Sequence, residues 1–356
     1  MRIERIAMRD FRSYEEAELP LGPGLTIVHG ANGAGKTNLV EALYFGCTAR
    51  SFRTTNERNL VRFGAGATRV VLSGSDGDGP HELAVGFVPG ELKRMTSDGA
   101  PVERLTDVAH RPLASVFSPD RLELIKGQPG VRRAHLDQFV AALWPARAAT
   151  RRAYHEALAQ RNALIARVRA GRSPSDALAS WNLTLAEAGV GLIADRGAAA
   201  ERIEEGFARH AAELGLNGVA AVSYRPRSQA QSAAQLAGEL AERLDSDLGR
   251  GYTTHGPHRD ELLLARDGRE LRAFGSQGEQ RLALLALLLA ERDALAAERD
   301  RPPLMLLDDV MSELDHPRRA LLAERLRAGG QSVVTATELE HVPGWERDDV
   351  ARIEVP

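Results

Sequence analysis

The chain has 356 residues, 43% hydrophobic and 27% charged, with a formal net charge of −3 and a single cysteine, Cys47. This is the composition of an ordinary soluble protein of about two domains, and it excludes a global polycation, a disordered chain and a disulfide scaffold. The longest apolar run, Leu282–Ala290, is far short of the ~18 residues of a membrane span. The N-terminus has no uncharged apolar core of secretory type, so a cytoplasmic protein with no membrane partner is expected.

The chain opens in strands: RIERIAMRDF alternates loosely, and GLTIVHG is a short β-branched run between glycines. A helix is predicted over 36–46, with Leu39, Val40 and Leu43 on one face. Between strand and helix stands GANGAGKT, Gly30 to Thr37, the G-x-x-x-x-G-K-[ST] pattern of a P-loop in its proper context. The amides of Gly30, Ala31, Asn32, Gly33, Ala34 and Gly35 can curl round phosphates, and the helix start at Lys36, Thr37 and Asn38 adds partial positive charge. Lys36 reaches the β- and γ-phosphates and the Thr37 hydroxyl ligates Mg²⁺.

Residues 68–105 read as a β-meander whose turns are SDGDGP and SDGAP. Asp76 and Asp78 are turn residues there, because no twelve-residue loop closed by Glu follows. LASVFS is a further strand. From about 120 to 247 alanine, leucine, arginine and glutamate recur at helical spacing, broken at GRSPSD and LGLNG. Arg121–Arg172 carries eleven basic residues against Glu123, Asp137 and Glu156, a basic face suited to a polyanion. Lysine stands only at Lys36, Lys93 and Lys126, an arginine bias that composition alone accounts for. The reading is an α/β head formed by residues 1–118 and 248–356, with a mainly helical lobe, 119–247, inserted in it. A hairpin around Asp267-Gly268 is expected to return the chain to the head's sheet. In GPHRD, His255 and His258 lack a third ligand, so the segment reads as a structural turn.

Two later stretches complete a site. GSQGEQ precedes a strongly apolar helix, and Ser276 with Glu279 forms a capping box. That box leaves Gly278 unexplained, in a first turn where glycine costs about 1 kcal/mol. A glycine there permits close approach of another group, and a helix start favours an anion. The buried strand Leu304–Leu307 runs into Asp308 and Asp309. Asp308 is placed to hold Mg²⁺, and Asp309 to orient or deprotonate an attacking water.

GSQGEQ resembles the signature motif of ABC-type ATPases, and SELD, Ser312 to Asp315, their D-loop. The resemblance implies an ABC-type P-loop ATPase head that forms an ATP-dependent homodimer. In it, Ser276, Gly278 and Gln280 would face the nucleotide held by the partner's P-loop, while Ser312 and Asp315 would lie at the dimer interface. The helper histidine of such ATPases is missing, so Thr335 or Thr337 would take its place; the Q-loop glutamine is not placed by the pattern, and Gln128 is a candidate for it. FRSY, GANGAGKTNLVEA, ARSFRT, SPDRLELIKGQPGVRRAHLD, GPHRDEL, SQGEQR and LLLDDVMSELD, in this order, are similar to the RecF family of bacterial recombinational-repair proteins. Phe52, His135 and Gln128 depart from that family's pattern, and their effects are expected in local packing or DNA contact. The resemblance implies ATP and Mg²⁺ as cofactors, double-stranded and gapped DNA, RecR and RecO as partners, and RecA loading downstream. It also implies weak, DNA-stimulated hydrolysis. By likeness to SMC-type heads, Arg132, Arg133, Arg147, Arg151 and Arg152 would meet phosphates. The rival readings are an SMC-like chromosome organiser, a transporter ATPase subunit and a small-molecule P-loop kinase.

Overall fold

The computed structural model describes residues 1–299 and 301–356. The chain begins with β1 (Arg2–Phe11), β2 (Tyr14–Pro20) and β3 (Leu25–His29), then α1 (Lys36–Thr48). Strands β4 (Thr68–Asp76), β5 (Gly79–Phe87), β6 (Arg94–Ser97), β7 (Ala100–Val102) and β8 (Ala114–Phe117) follow. Next come α2 (Glu123–Lys126), α3 (Pro129–Leu143), α4 (Ala148–Arg169), α5 (Leu178–Glu213), β9 (Ala220–Arg225), α6 (Ala233–Glu242) and α7 (Leu244–Arg250). The hairpin β10 (Glu261–Arg266) and β11 (Arg269–Glu270) leads to α8 (Leu271–Phe274) and α9 (Gln277–Arg299). The chain closes with β12 (Leu304–Leu307), α10 (His316–Ala328), β13 (Ser332–Ala336) and β14 (Ala351–Glu354).

These elements form two compact units, residues 1–121 with 295–356, and residues 122–294. In the first, the order β2-β1-β4-β5-β6-β7 makes an antiparallel sheet and β14-β3-β13-β12-β8 a parallel one. One core joins them: Ile6, Met8, Val70, Leu72 and Val85 from the first sheet, Leu39, Val40 and Leu43 from α1, and Val28, Val116, Leu306 and Val333 from the second. Cys47 belongs to this core, its thiol pushed up to about 12 by burial. Because the second sheet is parallel, His29, Phe117, Leu307 and Ala336 end at one edge, the edge at which such sheets bind ligands.

In the second unit α5 packs against α3, α4, α6 and β9. Ser175–Glu213 is long and apolar enough by composition to cross a membrane, yet its buried face carries Asn182, Asp195, Arg196 and His210, so it reads as a core helix. Two expectations are corrected here. The lobe contains a strand, β9, whose alanine-rich sequence gives little β signal, and the Asp267-Gly268 hairpin pairs with it rather than with the first unit's sheets. Through that pairing residues 248–294 pack with the second unit instead of the head assigned to them. In the first unit β14 adds a last parallel strand beyond QSVVTAT.

GPHRD is a turn, as its composition suggests. Gly256 takes φ 123° and opens a 3₁₀ turn over Pro257–Arg259. His258 Nδ1 lies 2.7 Å from the Tyr154 hydroxyl and its Nε2 2.9 Å from the Thr253 carbonyl. Burial lowers its pKa from 6.5 to about 4, against the hydrogen bond to the Thr253 carbonyl, which raises it; Arg259 and Arg133 lower it further, and Asp247 raises it least. A depressed folded pKa adds stability that is complete above 6.5 and is lost as pH falls toward 4, up to about 3 kcal/mol for this gap. Urea midpoints of the wild type are therefore expected to drop between pH 7 and pH 4.5 by more than those of His258→Asn. Equal drops would show that His258 carries none of the dependence.

Candidate nucleotide-binding site

The loop from β3 to α1 has the backbone a phosphate cradle requires. Gly30, Gly33 and Gly35 hold φ of 150°, 87° and 111°, values that a side chain disfavours. At Gly30 a Cβ would also lie 2.1 Å from the Val355 carbonyl oxygen. Lys36 Nζ bridges the carbonyls of Gly30 and Ala31 at 2.7 and 2.8 Å, so its ammonium lies over the loop. Ala34 donates to the Ala31 carbonyl, tightening the turn. Asn32 stands exposed at the tip.

Asp308 follows β12 and is buried. Its two carboxylate oxygens each lie 3.0 Å from Thr37 Oγ1, across 271 positions of chain. Thr335 donates to Asp308 Oδ1 at 2.9 Å and accepts from the Asp309 amide at 2.8 Å. Burial raises the Asp308 pKa; the hydroxyls of Thr335 and Thr37 oppose this, Asp309 adds to it, and Arg53 counters it more weakly. Asp309 is exposed, with φ 53°, an unusual backbone for a non-glycine residue and one that turns its carboxylate out of the strand line. The cluster of hydroxyl and carboxylate oxygens is the donor set of a hard cation. Thr37 and Asp308 thus fit Mg²⁺.

Several residues around this site carry roles that sequence reasoning did not assign. Glu41, fully buried in α1, accepts from Arg12 at 2.8 and 2.7 Å, from Arg53 at 3.2 Å and from Ser51 at 2.5 Å. Arg53 also donates to Asn38 Oδ1, and Asn38 to Ser13 Oγ. The Tyr14 hydroxyl donates to the Gly35 carbonyl. FRSY and ARSFRT therefore brace the start of α1, with Arg12 and Arg53 adding positive charge beside the loop. The arginines of both motifs were visible in the sequence, but their common partner Glu41 sat unmarked within a helix. Ser118 was also missed. β8 and β12 pair Phe117 with Leu307, and the Asp308 amide donates to the Phe117 carbonyl, so Ser118 stands across from Asp308 at the sheet edge. Its buried hydroxyl has no hydrogen-bond partner among the described residues.

The D-loop residues have local tasks. Ser312 Oγ donates to the Asp309 carbonyl, and Asp315 caps α10 by accepting from the Arg318 amide. Thr337 Oγ1 lies 3.2 Å from His341 Nδ1, a histidine past the last predicted strand. In the second unit the capping box is present: the Ser276 amide donates to Glu279 and the Glu279 amide to Ser276 Oγ. Ser276 and Gly278 are exposed, and a Cβ at Gly278 would meet nothing within 4 Å, so packing does not demand that glycine. Gln280 is corrected: its buried amide donates to the Leu271 and Gly275 carbonyls and holds the turn before α9 rather than facing outward. Gln128 is exposed just before α3, with no side-chain cap bond.

The arginine set also changes. Arg132 is buried and paired through two nitrogens with Glu261, so it is withdrawn from the phosphate-facing residues. Arg133 donates to the Asp260 carbonyl, Arg147 lies over Trp144 and pairs with Asp195, and Arg151 pairs with Asp137. Arg152 is exposed. Of the departures, Phe52 packs edge-on against Tyr44, and His135 Nε2 lies 2.6 Å from Glu291 Oε1. Both act in local packing.

A parallel sheet with a glycine-rich loop, a lysine and a threonine facing a strand-end aspartate defines a P-loop NTPase head, and the antiparallel sheet packed on it is that of the ABC and SMC type. Residues 5–82 match the model of the AAA domain family. An SMC head domain from Pyrococcus furiosus superposes with a TM-score of 0.58 at 18% identity, over 98% of this chain and 94% of the other. The chain belongs to the RecF family of DNA replication and repair proteins. It is 41% identical to RecF of Anaeromyxobacter sp. (strain Fw109-5), over 95% of this chain and 93% of the relative. With RecF of Frankia alni the identity is 37%, over 96% and 95%. Among solved structures, the recombination mediator protein RecF-ATP of the RecFOR pathway gives a TM-score of 0.86 at 27% identity, covering 94% of this chain and 92% of the other. Its counterpart RecF-ATPrS gives 0.85 at 26%, covering 99% and 96%.

Proposed function

We propose that the chain is an ATP-gated clamp on DNA: ATP joins two heads, the joined form grips duplex near single-strand gaps, and slow, DNA-stimulated hydrolysis releases it. The observation that carries this reading is the meeting of Thr37 with Asp308 beneath the Gly30–Thr37 loop. Lys36 and the loop amides would take the phosphates, Thr37 and Asp308 would hold Mg²⁺, and Asp309 would receive a proton from the attacking water. Bound Mg²⁺ would neutralise phosphate charge during the transfer. The Ser118 hydroxyl stands beside Asp308 as a further polar group for this site. Exposed Ser276 and Gly278 fit a surface completed by a second copy, and Ser312 and Asp315 would lie at a dimer interface. Partnership with RecO and RecR, RecA loading, the SOS response and a cytoplasmic setting follow from the family and belong to the same proposal.

The energetic logic is linkage: nucleotide favours the dimer only through contacts that exist in the dimer alone. Sedimentation of the chain with labelled duplex, with and without a non-hydrolysable ATP analogue, tests this. An analogue-dependent dimer that carries duplex is expected, and Ser276→Arg should abolish it by placing a bulky cation at the contact. A monomer indifferent to analogue and duplex would overturn the clamp.

A further inference from the structure

The second unit contains a cavity of about 310 Å³ lined by Arg227, Arg250, Tyr252, Thr254 and Arg259. Five arginines of this unit are matched with acids: Arg132 with Glu261, Arg147 with Asp195, Arg151 and Arg196 with Asp137, and Arg161 with Asp247. The guanidiniums of Arg227, Arg250 and Arg259 have no carboxylate partner among the described residues, and no carboxylate lines the cavity. Three like charges around one concavity repel one another, and an anion between them removes that repulsion.

The acids nearby hold the walls from behind instead. Asp260, buried, accepts the Arg227 amide at 2.6 Å through Oδ1, while its Oδ2 accepts from the Tyr224 hydroxyl and from Arg196. Asp247, also buried, accepts the Thr254 amide and hydroxyl at 2.9 and 2.6 Å through Oδ1, and its other oxygen takes Arg161. The Arg196 guanidinium donates to the Pro257 carbonyl, and His258 pins the same turn. Arg259, carried on that turn, lies with its guanidinium carbon 5.3 Å from the centre of the Tyr252 ring. The backbone under Arg227 and Arg259 is thus set before any ligand arrives, which lowers the cost of binding.

The geometry points to a phosphate-binding site at Arg227, Arg250 and Arg259, separate in sequence from the P-loop, that takes the phosphates of a nucleic-acid strand or of a free polyphosphate. Guanidiniums suit this ligand because their planar forks meet phosphate oxygens in pairs. The cavity volume lies at the lower end of the range for small-molecule pockets, about 300 Å³. The nucleic-acid source rests on the DNA-binding reading above; the anion site itself does not.

The test compares the full chain with an Arg227→Gln/Arg259→Gln variant and with Arg250→Gln. Anisotropy of a fluorescein-labelled duplex, titrated at several salt concentrations with the ATP analogue present, reads the nucleic-acid arm. Inorganic tripolyphosphate, titrated by calorimetry into a Lys36→Ala background that weakens the P-loop, reads the other. Loss of two phosphate contacts should weaken duplex binding about tenfold or more and flatten the slope of log K against log salt by about 1.8. Duplex affinity unchanged but tripolyphosphate binding lost would assign the site to a free polyphosphate. Both probes bound as by the parent chain would overturn the proposal. Analogue-driven dimerisation of the variants reports that they fold, and its absence in the parent chain would count against the clamp and not against this site.

Discussion

Asp309→Asn is expected to reduce ATP turnover by about 100-fold or more, the usual contribution of a positioned general base, while nucleotide still binds and still joins two heads. The separation follows from geometry. Asp308 is buried between Thr37 and Thr335, the place proposed for metal binding; Asp309 is exposed at positive φ, its amide donating to Thr335 and its carbonyl accepting from Ser312. Asparagine keeps the size and tolerates that φ but cannot accept a proton from water at neutral pH. Single-turnover hydrolysis and sedimentation, run on the same preparation, check both halves. A variant that hydrolyses at the parent rate would remove Asp309 from the chemistry, and one that no longer dimerises with ATP would place it in binding.

Arg161→Met is expected to cost about 3–5 kcal/mol of stability, a large share of the roughly 5–15 kcal/mol a domain has. Arg161 and Asp247 are both 0% exposed and meet at 2.7 Å. Arg161 also donates to Asn182 at 2.8 Å and Thr253 at 2.7 Å, joining α4, α5 and the segment after α7. Methionine fills much of the volume but leaves one Asp247 oxygen buried without its cation. Adding Asp247→Asn removes the stranded charge, so the double variant should recover part of the loss. Urea denaturation measures each step. A loss below 1 kcal/mol for Arg161→Met would show that the pair is not what holds these helices. Since Asp247 also anchors Thr254, the single variant should weaken the arginine-lined cavity as well.

The ATPase half of the site was legible because its signals are local. Positive φ at Gly30, Gly33 and Gly35, a helix beginning at Lys36 and a buried strand followed at once by Asp308 are each encoded within a few residues. The capping box at Ser276 and Glu279 was legible for the same reason. Local reading also had its cost. Gln280 beside Gly278 looked like part of an outward-facing motif, and only the fold shows its amide turned back to Leu271 and Gly275.

Composition and spacing by themselves determined the P-loop, the aspartate pair, the meander and the helical texture of the middle of the chain, because backbone conformation and period act over one or two turns. The tertiary structure decided which charges face inward. Arg132 looked like any arginine of a basic stretch until Glu261, 129 positions away, was brought against it. β9 acquired its strand by pairing with β10 rather than through its own propensity. Arg227, Arg250 and Arg259 came to share one cavity because buried acids hold the backbone beneath it. An arginine's role depends on whether a carboxylate reaches it, and that partner is set by chain packing over distances no local pattern spans.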